Sequence, residues 1–484
     1  MRWPCKATIP GWSLQLLYGL CWRMKNRVKA GMAGASPGPS INRGPTIDGP
    51  RLSQRSIVVA PLAGAMPPYG CHVSPPSSPP SRIRQQLLFV VVLGMLILSA
   101  CTPTPIVVSK KASTRCQPDR LVGFLRGFHS ELVDASGCQV RLLGVNWSGF
   151  ESGTFVPHGL EERNWQDMLK QIARTGFNTI RLPFSNQLFD PASQPQGINY
   201  QLNPDLKGLS GLALLERIIQ GAGKLGLRVI LDRHDPMADQ RPPLWYTDQA
   251  PQSRWIQDWV MLAQHYRGNE TVIGADLANE PHWPATWGGG NPSTDWRLAA
   301  QRAGNAILAV NPDWLIIVEG IDLYQGDSYW WGGNLQGARQ FPVRLSRPDK
   351  LVYSAHDYGP EVYKEQWFKV SNPAVLAHTL PALWQKHWAY LQQNGTAPVF
   401  VGEFGWRSMG QDAEGVWQRT LMAFLHTHGM SYAYWAWNAD SGDTSGILQD
   451  DWMTVDQNKV CALLPPHKVA RKASACTSKP QKRA

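Results

Sequence analysis

The chain has 484 residues, 43% hydrophobic and 17% charged, a composition that fits a globular protein with a sizeable core. Its net charge of +11 belongs to the ends: residues 1–101 carry 11 Lys/Arg and one acid, residues 466–484 carry six basic side chains and no acid, and residues 119–465 carry 27 basic and 35 acidic side chains. So acidic a body excludes a nucleic-acid backbone as its partner.

Residues 1–80 mix Pro, Gly and Ser without hydrophobic periodicity and are assigned no fold. Translation starting later, near Met66, would account for an export signal so far from the first residue. That signal is read at 81–101. Arg82 and Arg84 precede an apolar run, Leu87 to Leu98, too short for the roughly 20 residues of a transmembrane helix. The run ends Leu98-Ser99-Ala100-Cys101, which is similar to a bacterial lipobox; the similarity implies acylation of Cys101 and a membrane held through a lipid anchor. The linker 102–118 opens with a Thr-Pro-Thr-Pro spacer.

From residue 119 short apolar runs alternate with amphipathic stretches. Strands are predicted at 141–147, 178–184, 228–234, 272–280, 315–320, 351–358, 399–405 and 431–438. Helices are predicted between them at 164–176, 209–226, 254–267, 295–310 and 373–394. Eight strands interleaved with helices predict a single (β/α)8 TIM barrel over 119–465. A doubly wound sheet would want a Gly-rich phosphate turn after its first strand, and Gly144-Val145-Asn146-Trp147 is not one. A basic tail, 466–484, follows. Cys116, Cys138, Cys461 and Cys476 permit three pairings, which spacing does not decide. No Cys/His cluster has zinc spacing, so no metal is expected.

A barrel of this kind gathers its chemistry where the strands end. The exits read Arg181, His234, Asn279-Glu280, His356-Asp357-Tyr358, Glu403 and Trp435. So many polar groups are costly unless they share a cleft. Glu280 and Glu403 face each other from opposite strands, and two such carboxyls suit glycoside hydrolysis with retention. Arg181 would keep a neighbouring nucleophile ionised, while the less compensated carboxyl stays protonated. Asp232, Asp276, Glu319 and Asp357 are expected to support the site rather than act. The 22 Trp suit platforms for sugar rings. Trp147, Trp245, Trp330 and Trp331, at strand exits or in loops, are the sugar-binding candidates; Trp255, Trp259, Trp384 and Trp388, on helices, are expected to pack.

Asn279-Glu280-Pro281, His356-x-Tyr358 and Gly402-Glu403-Phe404-Gly405 occur in this order at these strand ends. With Trp330-Trp331-Gly332-Gly333-Asn334, Asp440 to Thr444 and Gly446-Ile447-Leu448, they make residues 119–465 resemble glycoside hydrolase family 5, especially its bacterial endo-β-1,4-glucanases. The resemblance implies a retaining, endo-acting hydrolase of β-1,4-glucan with Glu280 as acid/base and Glu403 as nucleophile. It implies Arg181 and Tyr358 as partners of the nucleophile and Asn279 as a ligand of the sugar 2-hydroxyl. His234 and His356 would line the cleft, and Trp435 would floor a sugar subsite. A β-glucan is the implied partner, the protein is expected to be monomeric, and no cofactor is implied. Glu161 stands where similar enzymes often have Trp, with Trp165 as a possible substitute, and Asp235 stands where they commonly have Arg. Gly153, Met237, Thr286 and Gly289 occupy positions of loop cysteines seen in relatives. The alternatives are another β-glycan (mannan, xyloglucan or short oligosaccharides) and a non-catalytic glycan-binding lipoprotein.

Overall fold

The computed structural model describes residues 121–465 together with Cys116 and Lys468. The expected signal at 81–101 with Cys101, nearly all of the linker and most of the basic tail lie outside the described residues. Among the described residues no helix is long and apolar enough to cross a membrane.

The chain first forms a small antiparallel sheet of β1 (Arg126–Phe128), β2 (Glu131–Val133) and β3 (Gln139–Val140). Eight parallel strands then close a barrel: β4 (Leu143–Asn146), β5 (Thr179–Ser185), β6 (Arg228–Asp235), β7 (Val272–Asp276), β8 (Leu315–Glu319), β11 (Leu351–His356), β12 (Val399–Glu403) and β13 (Ser431–Tyr434). A two-stranded ribbon, β9 (Leu323–Tyr324) and β10 (Asp327–Ser328), leaves the rim after β8. All eight predicted barrel strands are present, and the order is that of a (β/α)8 barrel.

The main outer helices are α1 (Trp165–Thr175), α2 (Gly211–Lys224), α3 (Gln252–His265), α4 (Trp296–Val310), α5 (Leu376–Trp384), α6 (Tyr390–Gln393) and α7 (Ala413–Thr427), and a short α8 (Gln457–Leu463) closes the described chain. Their starts are written in the sequence. Asn164, Ser210, Asp295 and Asp412 each accept hydrogen bonds from first-turn amides of α1, α2, α4 and α7, satisfying donors that a helix start leaves free. The helix expected at 373–394 is instead two segments joined through a π-turn at Gln385–Ala389, with Pro381 inside α5.

Strand residues facing the barrel interior meet the preceding hairpin at one end. Ile230, Ile273, Leu315, Ile317, Val352 and Phe400 pack with Leu125 and Leu132 in one buried cluster, so the β1–β2 hairpin plugs the barrel floor. A disulfide between Cys116 and Cys138, with Cα atoms 5.6 Å apart, joins the chain ahead of β1 to the turn between β2 and β3. Of the three pairings open in the sequence, this one is present; Cys461 is disulfide-bonded too. The opposite mouth is left for polar chemistry.

Candidate active site

The centre of that mouth is a buried guanidinium. Arg181, on β5, donates to Glu403 Oε1 (2.7 Å), Asn146 Oδ1 (3.0 Å), Asp276 Oδ2 (2.9 Å), Asn279 Oδ1 (3.0 Å) and Glu319 Oε1 (3.1 Å). It also lies 3.1 Å from Asp232 Oδ2. A planar fork of donors can satisfy acceptors in several directions at once. Burial alone would lower its pKa, but Asp232, Asp276, Glu403 and Glu319 raise it well above the usual value, so the charge stays.

Glu403, at the end of β12, is 4% exposed and held on both oxygens. Arg181 donates to Oε1 and the Tyr358 hydroxyl donates to Oε2 at 2.8 Å. Burial pushes its carboxyl upward, but the charges of His356, Arg181 and His234 and the Tyr358 hydrogen bond outweigh this and lower it to about 2. Tyr358 is itself driven well above the ordinary phenol range, first by burial and then by Glu403 and Glu280, and so remains a donor.

Glu280 follows β7 in an unusual conformation. Its φ is +50°, a region that costs a non-glycine residue about 1 kcal/mol or more. The turn is held because its amide donates to Glu319 Oε2 at 2.7 Å. Gly332 lies against the same spot, where an added Cβ would collide with Glu319 Oε2 and come within 3.3 Å of Glu280 Cα. The Glu280 carboxyl meets His356 Nδ1 at 2.9 Å. Burial would lower His356, but Glu319, Glu403 and Glu280 raise it well above its ordinary value. Burial pushes Glu319 up to about 7 and Asp276 up to about 7, and raises Asp232 well above its usual range.

One oxygen of Glu280, His356 and one oxygen of Glu403 all lie within 4.8 Å of one another. The sets Asp232/His234/Glu403 and Asp232/Asp276/Glu319 are equally tight and have metal-ligand composition. Each set contains at least one acid that Arg181 contacts, and in the two sets with Asp232 this guanidinium supplies a cation to every acid. His234 is fixed by Asp232 at 2.7 Å, stacks on Trp435 with ring centroids 5.3 Å apart, and reaches Asn279 at 3.4 Å. The structure therefore brings Arg181, His234, Asn279, Glu280, His356, Tyr358, Glu403 and Trp435 into one site.

The tryptophans divide differently from the sequence expectation. Trp147 and Trp245 are 0% and 1% exposed and offer no face to a sugar. Trp147 turns inward and donates to His158 O at 3.1 Å; Trp245 packs between Trp255 and Trp296. Trp165 is buried as well, so it does not replace a platform at Glu161. Trp330 is 8% exposed and meets Tyr358 edge-on at 5.9 Å, backing the site rather than lining it. Trp331 is 46% exposed and stacks on His282 at 3.8 Å. His282 and Trp331 line one cleft with His234, Asp235, Arg241, Asn279 and Glu280.

Many indoles act as hydrogen-bond posts for strand exits. Trp255 and Trp259 both donate to Leu277 O, three residues before Glu280. Trp296 donates to Glu319 O. Trp384 and Trp417 donate to Asp357, as does Tyr329, fixing the residue between His356 and Tyr358. Trp283, three residues after Glu280 and 59% exposed, is a further indole at this mouth; its place at the fourth strand exit was the available signal.

A family model described as cellulase (glycosyl hydrolase family 5) matches residues 133–441. An endoglucanase of Paenibacillus polymyxa is 50% identical over 341 residues, covering 70% of this chain and 85% of that protein. The major extracellular endoglucanase of Xanthomonas campestris pv. campestris is 41% identical over 339 residues, covering 69% of each. Among solved structures, a cellotetraose complex of an endocellulase from Pyrococcus horikoshii aligns with a TM-score of 0.66 at 41% identity, covering 72% of this chain and 98% of that one.

Proposed function

Because the chain belongs to the cellulase family, glycosyl hydrolase family 5, we propose that this glycoside hydrolase cuts β-1,4-glucan internally and with retention, using Glu403 as nucleophile and Glu280 as acid/base. The observation that carries the mechanism is the closeness of two differently supported carboxyls. Their nearest oxygens are within 4.8 Å, in keeping with the roughly 5–5.5 Å of retaining enzymes and short of the roughly 6.5–9.5 Å by which inverting enzymes seat a water beside the sugar.

Glu403, stripped of its proton by Arg181, His356 and Tyr358, attacks the anomeric carbon. The bond to the leaving oxygen breaks as Glu280 gives that oxygen its proton. Glu280, now a carboxylate, takes a proton from water; the hydroxide formed displaces Glu403 from the sugar and restores both groups. His356, bonded to Glu280 and 3.7 Å from Glu403, spans the pair and steadies whichever carboxylate bears the charge. Trp435 and Trp331 supply faces for the sugar rings, and Asn279 a polar group for a ring hydroxyl.

Internal cleavage of a β-1,4-glucan is supported by the endoglucanases and the cellotetraose-bound endocellulase among the relatives. The test is reducing-sugar release from carboxymethylcellulose, β-mannan, xyloglucan and cellobiose, with Glu403→Gln as control. Rapid loss of viscosity on carboxymethylcellulose, abolished in the variant, is expected. Activity confined to mannan or xyloglucan would overturn the substrate, and silence on all four would favour a glycan-binding role. Export is in keeping with the extracellular Xanthomonas relative. Anchoring through Cys101 is tested by Cys101→Ala, which should release the protein from the membrane fraction; an unchanged fraction counts against it.

A further inference from the structure

Two charged side chains in the cleft play no part in the chemistry above. Asp235 is the last residue of β6 and is 1% exposed, yet its Oδ1 has no hydrogen-bond partner among the described residues. Arg241, six residues on, is exposed and lines the same cleft beside Asn279, Glu280, His282 and Trp331. Its guanidinium feels the charges of Asp235, Glu280, Glu151 and Glu403, but no hydrogen bond or ion pair joins it to another described residue.

A buried carboxyl oxygen without a partner is costly, and a bound ligand is one way a fold completes it. We propose that Asp235 and Arg241 form a sugar-hydroxyl subsite next to Glu280, which selects glucan units whose hydroxyls are unsubstituted. This rests on the glucanase reading and adds the specificity of the same cleft. Adjacent sugar hydroxyls both donate and accept, so one carboxyl and one guanidinium can hold a pair of them with directional bonds. An etherified hydroxyl has no proton to give, and Asp235 would then stay unsatisfied under the bound chain. Sites that demand a hydroxyl reject analogues lacking it more strongly than apolar pockets reject shape changes.

The experiment compares the full-length protein with Asp235→Ala and Arg241→Gln on cellopentaose and on methylcellulose, whose hydroxyls are partly capped by a neutral group. Wild type should prefer cellopentaose. Each variant should raise KM for cellopentaose by about ten- to a hundredfold, change kcat less, and narrow the preference by about the same factor. The melting temperature of Asp235→Ala should not fall, because no hydrogen bond to Oδ1 from a described residue is lost. An unchanged KM and preference in both variants would overturn the subsite, as would equal losses on both substrates. A fall in melting temperature would mark Asp235 as a structural residue and also overturn it. Wild type inactive on cellopentaose would instead overturn the glucanase reading, and the subsite with it.

Discussion

The Tyr358 hydroxyl donates to Glu403 Oε2 at 2.8 Å, on the oxygen that Arg181 leaves free. Deleting it in Tyr358→Phe removes one of the groups holding the Glu403 pKa down to about 2. A carboxylate that loses a stabilising donor binds its proton more readily, so the acid limb of kcat/KM should move to higher pH. A loss of roughly tenfold in kcat should accompany it, and a pH–rate profile of both proteins checks the shift.

The two glutamates should separate by leaving group. On the proposed mechanism Glu403→Gln removes the attacking atom and should cost at least about a thousandfold on every substrate. Glu280→Gln removes the proposed proton donor. It should cost about 10²–10⁴ on cello-oligosaccharides but far less in the first step on a dinitrophenyl cellobioside, whose leaving group needs no proton. Equal burst rates for the wild type and Glu280→Gln on that substrate would support the assignment; an equal collapse with both leaving groups would refute it.

Trp331 and Trp147 should fail in different ways. Trp331→Ala strips an exposed face stacked on His282 and should raise KM for cellotetraose about tenfold with an unchanged melting temperature. Trp147→Ala empties a fully buried site and should destabilise by about 3–5 kcal/mol, with KM nearly unchanged where the protein remains folded. Calorimetry beside steady-state kinetics reads both.

Glu414, in the first turn of α7, is pushed up to about 8, first by burial and then by the nearby acids Glu361 and Asp412. Between the ordinary carboxylate value and about 8 the native state holds a proton that the unfolded chain has lost. Stability from this group is thus fullest at low pH and declines as pH rises through that window. In Glu414→Gln the decline should vanish, so the melting temperature of the wild type should fall relative to the variant between about pH 5 and 8. Parallel curves across that range would show that the group does not titrate there.

Much of this was legible because a barrel strand followed by an amphipathic helix leaves a strong periodic trace. The ends of strands were not. The fourth run reads as apolar through Glu280, but the sheet stops at Asp276, and Glu280 enters the left-handed region; no periodicity reports a φ. The β1–β3 sheet escaped notice because strands of two or three residues have no period to read. The site acids and their partners were legible from motif order. The misplacement of Trp147 and Trp245 had a physical cause: lying at a strand exit does not tell which way a loop turns an indole. The posts at Leu277, Glu319 and Asp357 depend on N–H directions that only packing decides.

Arg181 touches acceptors on β4, β6, β7, β8 and β12 and just beyond β7. Holding these strands together and holding the Glu403 carboxylate are therefore the work of one side chain. A chain with any of those strands unseated has lost one of the acceptors that hold this buried charge. Loosening any of those five strands therefore disturbs the barrel wall and the polar centre of the mouth together.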